Sequence, residues 1–319
     1  MPASPSPSGH PTRVAIIDIG TNSTRLLVAD VTDGKVSEVE RRTTVTRLGR
    51  GVDHSGCLAS EAIEAVCETV GDYVELINDL DVQRTSVIAT SAVRDAENGQ
   101  AFIAELRERF ALNAEIFDGD LEATTTYLGT TSARSGDEVL LVADIGGGST
   151  ELIVGRGREP IFHRSLQAGV VRHTERMLTG DPPGTSDLEN LANDINRLIA
   201  SAIEGQELPP IERCVAVAGT PASLVAIDLE LEPYDPDAVE GHVLELGTIQ
   251  RWLSRLSAMP LEQRKQVPGL HPDRARAIVA GLVILIEIMR AFELTEVEVS
   301  EHDILYGGAI RAAGVQPDG

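Results

Sequence analysis

Apolar residues in this chain come in short β-branched runs, each cut by a polar or glycine-rich turn, with longer stretches of helical spacing between them. The run Val14-Ala-Ile-Ile enters Asp18, breaks over Gly20-Thr-Asn-Ser23, and resumes at Leu26-Leu-Val28. This predicts a hairpin over Arg13–Val31, extended by Val36–Val45. A helix from Ser60 to about Leu80 follows, then a strand over Ser86–Thr90, a helix from about Gln100 to Phe110, a strand over Ala114–Phe117 and a helix from Asp120. The hairpin pattern then returns over Val139–Val154 and Glu159–Arg164. Helices near 170–178 and 186–203, a strand over Cys214–Ala218, and helices near 247–258 and 273–291 come next. A strand over Val297–Ser300 and a last helix from Asp303 end the pattern. Strands alternating with helices through short glycine-containing connections predict an α/β fold. The longest apolar stretch, Ala277–Ile286, is too short to span a bilayer and reads as a buried core helix.

The two hairpins are copies. Val14-Ala-Ile-Ile-Asp18-Ile-Gly20-Thr-Asn-Ser23-Thr24-Arg25-Leu matches Leu140-Leu-Val-Ala-Asp144-Ile-Gly146-Gly-Gly-Ser149-Thr150-Glu151-Leu without a gap at an offset of 126 residues. Two copies one domain length apart imply a duplicated α/β unit. The expected organisation is a disordered Pro/Ser-rich tail over 1–12, a first domain over 13–135, and a second over 136–319.

Charge narrows the partners. The 319 residues carry 50 Asp and Glu against 27 Lys and Arg, a net charge of −23. General nucleic-acid binding needs the opposite sign. The few aromatic residues argue against a base-stacking platform. Three scattered cysteines suit neither a disulfide framework nor a zinc knuckle, and the first residues lack a secretion signal. The expectation is a soluble cytoplasmic protein with no nucleic-acid or membrane partner. All but two of the basic residues, Lys35 and Lys265, are arginines, whose planar forks suit oxyanions. Arg41, Arg42, Arg47 and Arg50 lie in ten residues without an acid, and a second basic group runs from Arg251 to Arg276.

Each copied turn carries candidate chemistry. In the first, Asn22 and Ser23 place short donors beside backbone amides, and Arg25 adds a guanidinium; this is a phosphate cradle or an ordinary solvated hairpin tip. In the second, Gly146-Gly147-Gly148-Ser149 removes every Cβ from three successive positions, as close approach of a phosphate requires. Asp144 and Glu151 flank that turn, where both carboxylates can face one cleft, and hard oxygen ligands beside a phosphate suit Mg²⁺. Glu122, on its own, reads as a first-turn acid complementing the dipole of a helix capped by Asp120.

Beyond the two turns, the blocks Ala89-Thr-Ser-Ala-Val-Arg94-Asp, Ala168-Gly-Val-Val-Arg172-His-Thr-Glu-Arg176, Ala218-Gly-Thr-Pro and Pro268-Gly-Leu-His-Pro-Asp-Arg274 complete a pattern. It resembles the exopolyphosphatase and guanosine pentaphosphate phosphohydrolase family, within the actin and sugar-kinase superfamily. The resemblance implies two actin-like, ribonuclease H-like domains flanking a cleft. It implies hydrolysis of the terminal phosphoanhydride of inorganic polyphosphate, with guanosine pentaphosphate as the alternative substrate. An actin-like nucleotide-binding scaffold is a more distant alternative. It also implies Glu122 as general base, Arg94 as a phosphate ligand, Asp144 and Glu151 beside Mg²⁺ (with Mn²⁺ or K⁺ as alternatives), and a homodimer. The chain departs from the family pattern at Glu122-Ala-Thr124, where an arginine is common. It departs again at Ile304-Leu305-Tyr306-Gly307, where Leu-Arg-Glu-Gly is common, and it resembles the short form without a C-terminal helical domain.

Overall fold

The computed structural model describes residues 10–314. The tail expected over 1–12 lies outside them apart from residues 10–12, and Thr12 already opens the first strand.

Two sheets carry the fold. The first contains β1 (Thr12–Ile19), β2 (Thr24–Thr32), β3 (Lys35–Thr44), β4 (Arg84–Ala89) and β5 (Ala114–Ile116), in the order β3-β2-β1-β4-β5. The second contains β6 (Val139–Ile145), β7 (Thr150–Arg156), β8 (Glu159–Leu166), β9 (Arg213–Val217), β10 (Val243–Glu245) and β11 (Glu296–Val299), in the order β10-β11-β9-β6-β7-β8. Reading β6, β7, β8, β9 and β11 for β1 to β5 gives the same order and sense of pairing, with β10 added at one edge. The repeat extends to detail: the register shifts after Val28 on β2 and after Val154 on β7, at the offset of the turns. Each half is thus an α/β unit of the same topology, as the repeated hairpins imply.

Alternation on the strands decides what packs where. Ala15, Ile17 and Ile19 of β1 face the helices Ser60–Asp79 and Gly99–Phe110 through Val66, Val70, Tyr73, Phe102 and Leu106. Leu141, Ala143 and Ile145 of β6 face the helices Thr185–Ile203 and Ile278–Ala291. The expected core helix begins at Ile278 and not at 273, because Pro272–Arg274 forms a separate 3₁₀ turn. The helix Gly219–Asp228 has no counterpart in the sequence pattern: nearly all of it is buried, so no polar face marks a helical period.

The opposite faces of the sheets are covered by an exchange. The helix Gly119–Thr131, which follows β5, sets Ala123 and Tyr127 on Val142, Ile153, Val215 and Val217 of the second sheet. The C-terminal helix Ile304–Ala312 returns to the first sheet, where Ile304, Leu305 and Ala309 meet Val14, Ile16, Leu27 and Ile88. The boundary expected near Ser135 therefore follows a helix whose packing belongs to the second sheet. Leu305 and Tyr306, which depart from the family pattern, are buried in this contact.

The exchanged helices meet backbone to backbone. A Cβ on Gly307 would lie 1.8 Å from the Thr125 carbonyl oxygen, and one on Gly129 would lie 2.0 Å from that of Asp303. At Gly308 the nearest atoms are side-chain methyls of Ile16 and Ile88 at 3.1 and 3.2 Å, which can adjust. Gly307→Ala is therefore expected to cost about 1–3 kcal/mol or more through overpacking, and to lower Tm by several degrees. Gly308→Ala should cost less. Equal melting temperatures for the two variants in a calorimetric scan would contradict this crossing.

Candidate active site

The β1–β2 and β6–β7 turns face each other across a cavity of about 120 Å³. Its wall includes Gly20 to Ser23 on one side and Gly146 to Ser149 on the other, with Asp18, Arg25, Glu122 and Asp144 deeper and Ser223 and Arg274 at one end. The turns are in close contact, since a Cβ on Gly147 would lie 2.8 Å from Thr21 Cβ. Gly20 and Gly146 each donate an amide to the fourth residue of the turn, Ser23 and Ser149. The amides of Thr21, Asn22, Gly147 and Gly148 donate to no acceptor among the described residues. Four free N–H groups around one cavity make an anion site without a side-chain charge.

Strand register places the acids. Asp18 is opposite Arg25 across β1 and β2, and Asp144 is opposite Glu151 across β6 and β7. Arg25 Nε and Nη2 donate to Asp18 Oδ2 at 2.9 and 2.6 Å, and Nη1 donates to Asp303. Arg25 thus lines the cavity with its guanidinium already engaged by two carboxylates. Asp18 still has a raised pKa while Asp303 has a lowered one, although both meet Arg25. Burial outweighs the single arginine at Asp18, whose Oδ1 has no partner, whereas Asp303 also has the charge of Arg41 and the Leu305 amide.

Glu122 enters from the exchanged helix. That helix is capped by Asp118, whose side chain accepts from the Leu121 amide at 2.8 Å; the expected cap, Asp120, lies inside the first turn. Glu122 is 7% exposed, and its Oε2 accepts from Arg94 Nη1 at 2.7 Å. Burial pushes its pKa up to about 7 against the pull of Arg94, with Asp144 and Asp18 adding to the rise. A helix N-terminus favours the ionised carboxylate; desolvation by burial outweighs it here. Asp144 is likewise pushed up to about 7, first by burial and then by Asp303, with only the Thr126 hydroxyl at 3.1 Å donating to it. Glu151 is also held well above the usual carboxylate range, first by burial and then by Glu122 and Asp144.

The structure therefore separates the candidate residues. Asn22, Ser23, Arg25, Glu122, Asp144 and the Gly146–Ser149 turn line the cavity together. Arg94 and Glu151 stand behind the wall: Arg94 holds Glu122 and the Phe117 carbonyl, and Glu151 accepts from Ser165 at 2.7 Å. Asp144 and Glu151 thus do not open side by side onto the cavity. Of the basic groups, Arg41, Arg42 and Arg47 are paired with acids, and Arg264 and Lys265 likewise. Arg274 is different. Its Nη1 donates to the Gly219 carbonyl at 2.7 Å and Ser223 Oγ at 3.0 Å, it makes no ion pair among the described residues, and burial lowers its pKa. The sequence pattern puts it in a basic group at the start of the helix expected near 273–291; the Pro-Gly-x-x-Pro break before it is the available signal.

The donor set fits a metal ion of one kind. Among the described residues no group of three or more His, Cys, Asp or Glu side chains converges to hold a metal alone. Asp144 and Asp18, the latter with a buried, unpartnered Oδ1, present carboxylate oxygen in the wall. One or two carboxylates, with water and substrate oxygens for the rest, is the habit of Mg²⁺.

A family model described as the Ppx/GppA phosphatase family matches residues 27–308. Exopolyphosphatase 2 of Mycobacterium tuberculosis is 34% identical over 317 residues, covering 95% of this chain and 99% of that protein. Guanosine-5'-triphosphate,3'-diphosphate pyrophosphatase of Vibrio vulnificus is 29% identical over 306 residues, covering 96% of this chain and 59% of that protein. Among solved structures, the Ppx/GppA family member of Aquifex aeolicus superimposes with a TM-score of 0.82 at 29% identity, over 97% of this chain and 100% of that one. A crystal structure of an exopolyphosphatase-like protein gives a TM-score of 0.89 at 29% identity, over 95% of this chain and 98% of that one. No helix among the described residues is long and apolar enough to cross a membrane.

The raised carboxylates set a pH dependence. Glu122 and Asp144 titrate near 7 in the folded chain, and near about 4 when unfolded. The folded state thus binds more protons between these values, and stability falls as pH rises through that window. Asp53 and Glu298, whose pKa values arginines hold low, lose stability only on acidification below it. In EDTA, Tm is expected to fall by several degrees between about pH 5 and pH 8. The Glu122→Gln variant should fall less, and Mg²⁺ should recover most of the loss at the higher pH. A Tm that is flat or rises over that range in EDTA would contradict the buried-charge reading.

Proposed function

The chain belongs to the Ppx/GppA phosphatase family, and we propose that it hydrolyses the terminal phosphoanhydride of inorganic polyphosphate and releases orthophosphate. The observation that carries this reading is Glu122, a buried carboxylate oriented by Arg94 in the wall of a cavity ringed by free turn amides. A pKa near 7 suits a general base working at neutral pH. Glu122 would take the proton of a water aligned with the terminal phosphorus. The amides of Thr21, Asn22, Gly147 and Gly148 would receive the charge spread over the equatorial oxygens of a loose transition state. Arg94 would fix the carboxylate's direction, and Arg274 with Ser223 would meet the phosphates further along the chain. Mg²⁺ held by Asp144 and Asp18, with Glu151 behind, would neutralise phosphate oxygens.

One feature supports guanosine pentaphosphate as a second substrate. Past Arg25 and Arg274 the central cavity adjoins a wider one of about 960 Å³, lined by Tyr234, Leu231, Pro233 and His271 among others. That volume and its mixed apolar and polar wall suit a nucleoside. As part of the same reading, the protein would work in the cytoplasm as a homodimer, which light scattering tests.

With Mg²⁺ present, the wild-type protein is expected to release orthophosphate from short- and long-chain polyphosphate. Glu122→Gln should lower kcat by about 10²–10⁴-fold with little change in KM. Equal release by the two proteins in a colorimetric phosphate assay would remove Glu122 from the role of base.

A further inference from the structure

The central cavity adjoins open space on two sides. On one it shares Arg25, Ala218, Gly219, Ser223 and Arg274 with the wide cavity. On the other it shares Thr21, Ser91 and Gly148 with a third cavity of about 370 Å³, whose lining also includes Asp53, Asp95, Gln167, Arg172 and Glu175. The three cavities thus form a series through the molecule, with the free amides and Glu122 in the middle. The second partition is thin. A Cβ on Gly148 would lie 2.5 Å from Ser91 Oγ and 2.8 Å from Thr21 Oγ1, so one bare backbone segment and two short hydroxyl side chains stand between centre and back.

A polymer whose end reaches Glu122 occupies the wide side, so orthophosphate formed at its tip has the remaining chain between it and that mouth. We propose that the third cavity is the exit for orthophosphate, which passes between Thr21, Ser91 and Gly148 and leaves past Arg172 while the shortened chain stays bound. This rests on the polyphosphate reading. The chemistry of the passage suits transit. The Thr21 and Ser91 hydroxyls can hydrogen-bond a passing phosphate, and small side chains rotate far faster than a turnover. Beyond them a single guanidinium, Arg172, lines the cavity with the carboxylates of Asp53, Asp95 and Glu175, a set that holds a dianion weakly.

The outer mouth is closed by ion pairs that bridge the two halves of the chain. Arg172 Nε donates to the Gly148 carbonyl at 2.8 Å, and its other nitrogens pair with Asp53 and, at 2.6 Å, with Asp95. Arg176 also pairs with Asp53 at 2.6 Å, and the Gly51 amide donates to Glu175 Oε2 at 3.1 Å. Arg176 stands at the solvent edge, but Arg172 and Asp53 are mostly buried, so this mouth opens only when the two halves part there and water reaches the separated charges. Because Arg172 touches the glycine turn itself, a small parting of this mouth loosens the partition at the same time.

Gln167 is exposed, lines only the third cavity among the three, and is absent from the lining of the cavity that holds Glu122. A tryptophan there fills the passage. Two measurements on long-chain polyphosphate separate the steps: acid quench counts all orthophosphate formed, and a fluorescent phosphate reporter counts only what has left the enzyme. In Gln167→Trp, and in Gln167→Phe as a second plug, the first turnover should form orthophosphate at the wild-type rate. Release should then slow by about tenfold or more, making product release limiting. Gln167→Ala should match wild type in both traces. Tripolyphosphate, whose pyrophosphate product can clear the wide mouth, should be slowed less by the plugs. Release that keeps pace with formation in both plugged variants would overturn the exit, as would an equal slowing of the first turnover itself. If wild-type enzyme forms no orthophosphate from polyphosphate in the quench trace, the polyphosphate reading fails first and takes the exit with it.

Discussion

Asp18, Glu122, Asp144, Glu151 and Asp303 are all buried in or behind the wall of one small cavity, and among the described residues only Arg25 and Arg94 form ion pairs with them. At the low effective dielectric of such a site, like charges cannot be held together without compensation. Asp144 and Glu151 have hydroxyl partners alone, and their neighbours push them toward the neutral form. The rest of the site follows from this imbalance. Burial favours protons on these carboxylates; under the function proposed above, a divalent cation would take the place of those protons and the same carboxylates would frame a metal and a phosphate. The net charge of −23 disfavours diffuse binding to nucleic acid but leaves room for a polyanion in a cavity whose field is set locally.

Position comes from the duplicated hairpin and from the helix exchange together. Each hairpin delivers one acid at a strand end and presents a turn with unused amides. Neither hairpin carries Glu122. Glu122 reaches the cavity because its helix leaves the first sheet to pack on the second, and the C-terminal helix makes the return crossing at Gly129 and Gly307. The same return brings Asp303 to Arg25, so that the arginine of the first turn depends on the last helix of the chain.

Much of this was legible in the residues. The gapless repeat marked both turns and an α/β duplication, because strand alternation and turn chemistry are local properties. Long-range packing was not. Nothing near Arg25 announces a partner 278 residues away, and nothing near Arg94 shows that its fork is spent on Glu122 and a carbonyl. The Gly219–Asp228 helix escaped because burial on all sides erases the period that reveals a helix. The rise of the Glu122 pKa reverses the local expectation for the same reason: a helix N-terminus is visible in sequence, and the closed cavity that outweighs it is not. The Arg41–Arg50 group shows the limit of counting charges, since three of its four arginines meet acids that precede them on the same strand or come from elsewhere in the chain.

The central claim is that the cavity accepts a phosphate chain only when a divalent cation offsets its buried carboxylates. Calorimetric titration of tripolyphosphate into the Glu122→Gln protein, which binds without turning over, tests it directly when run in Mg²⁺ and again in EDTA. The account predicts binding at least about 100-fold tighter in Mg²⁺, a difference of about 2.7 kcal/mol. Equal affinity in the two buffers would contradict it.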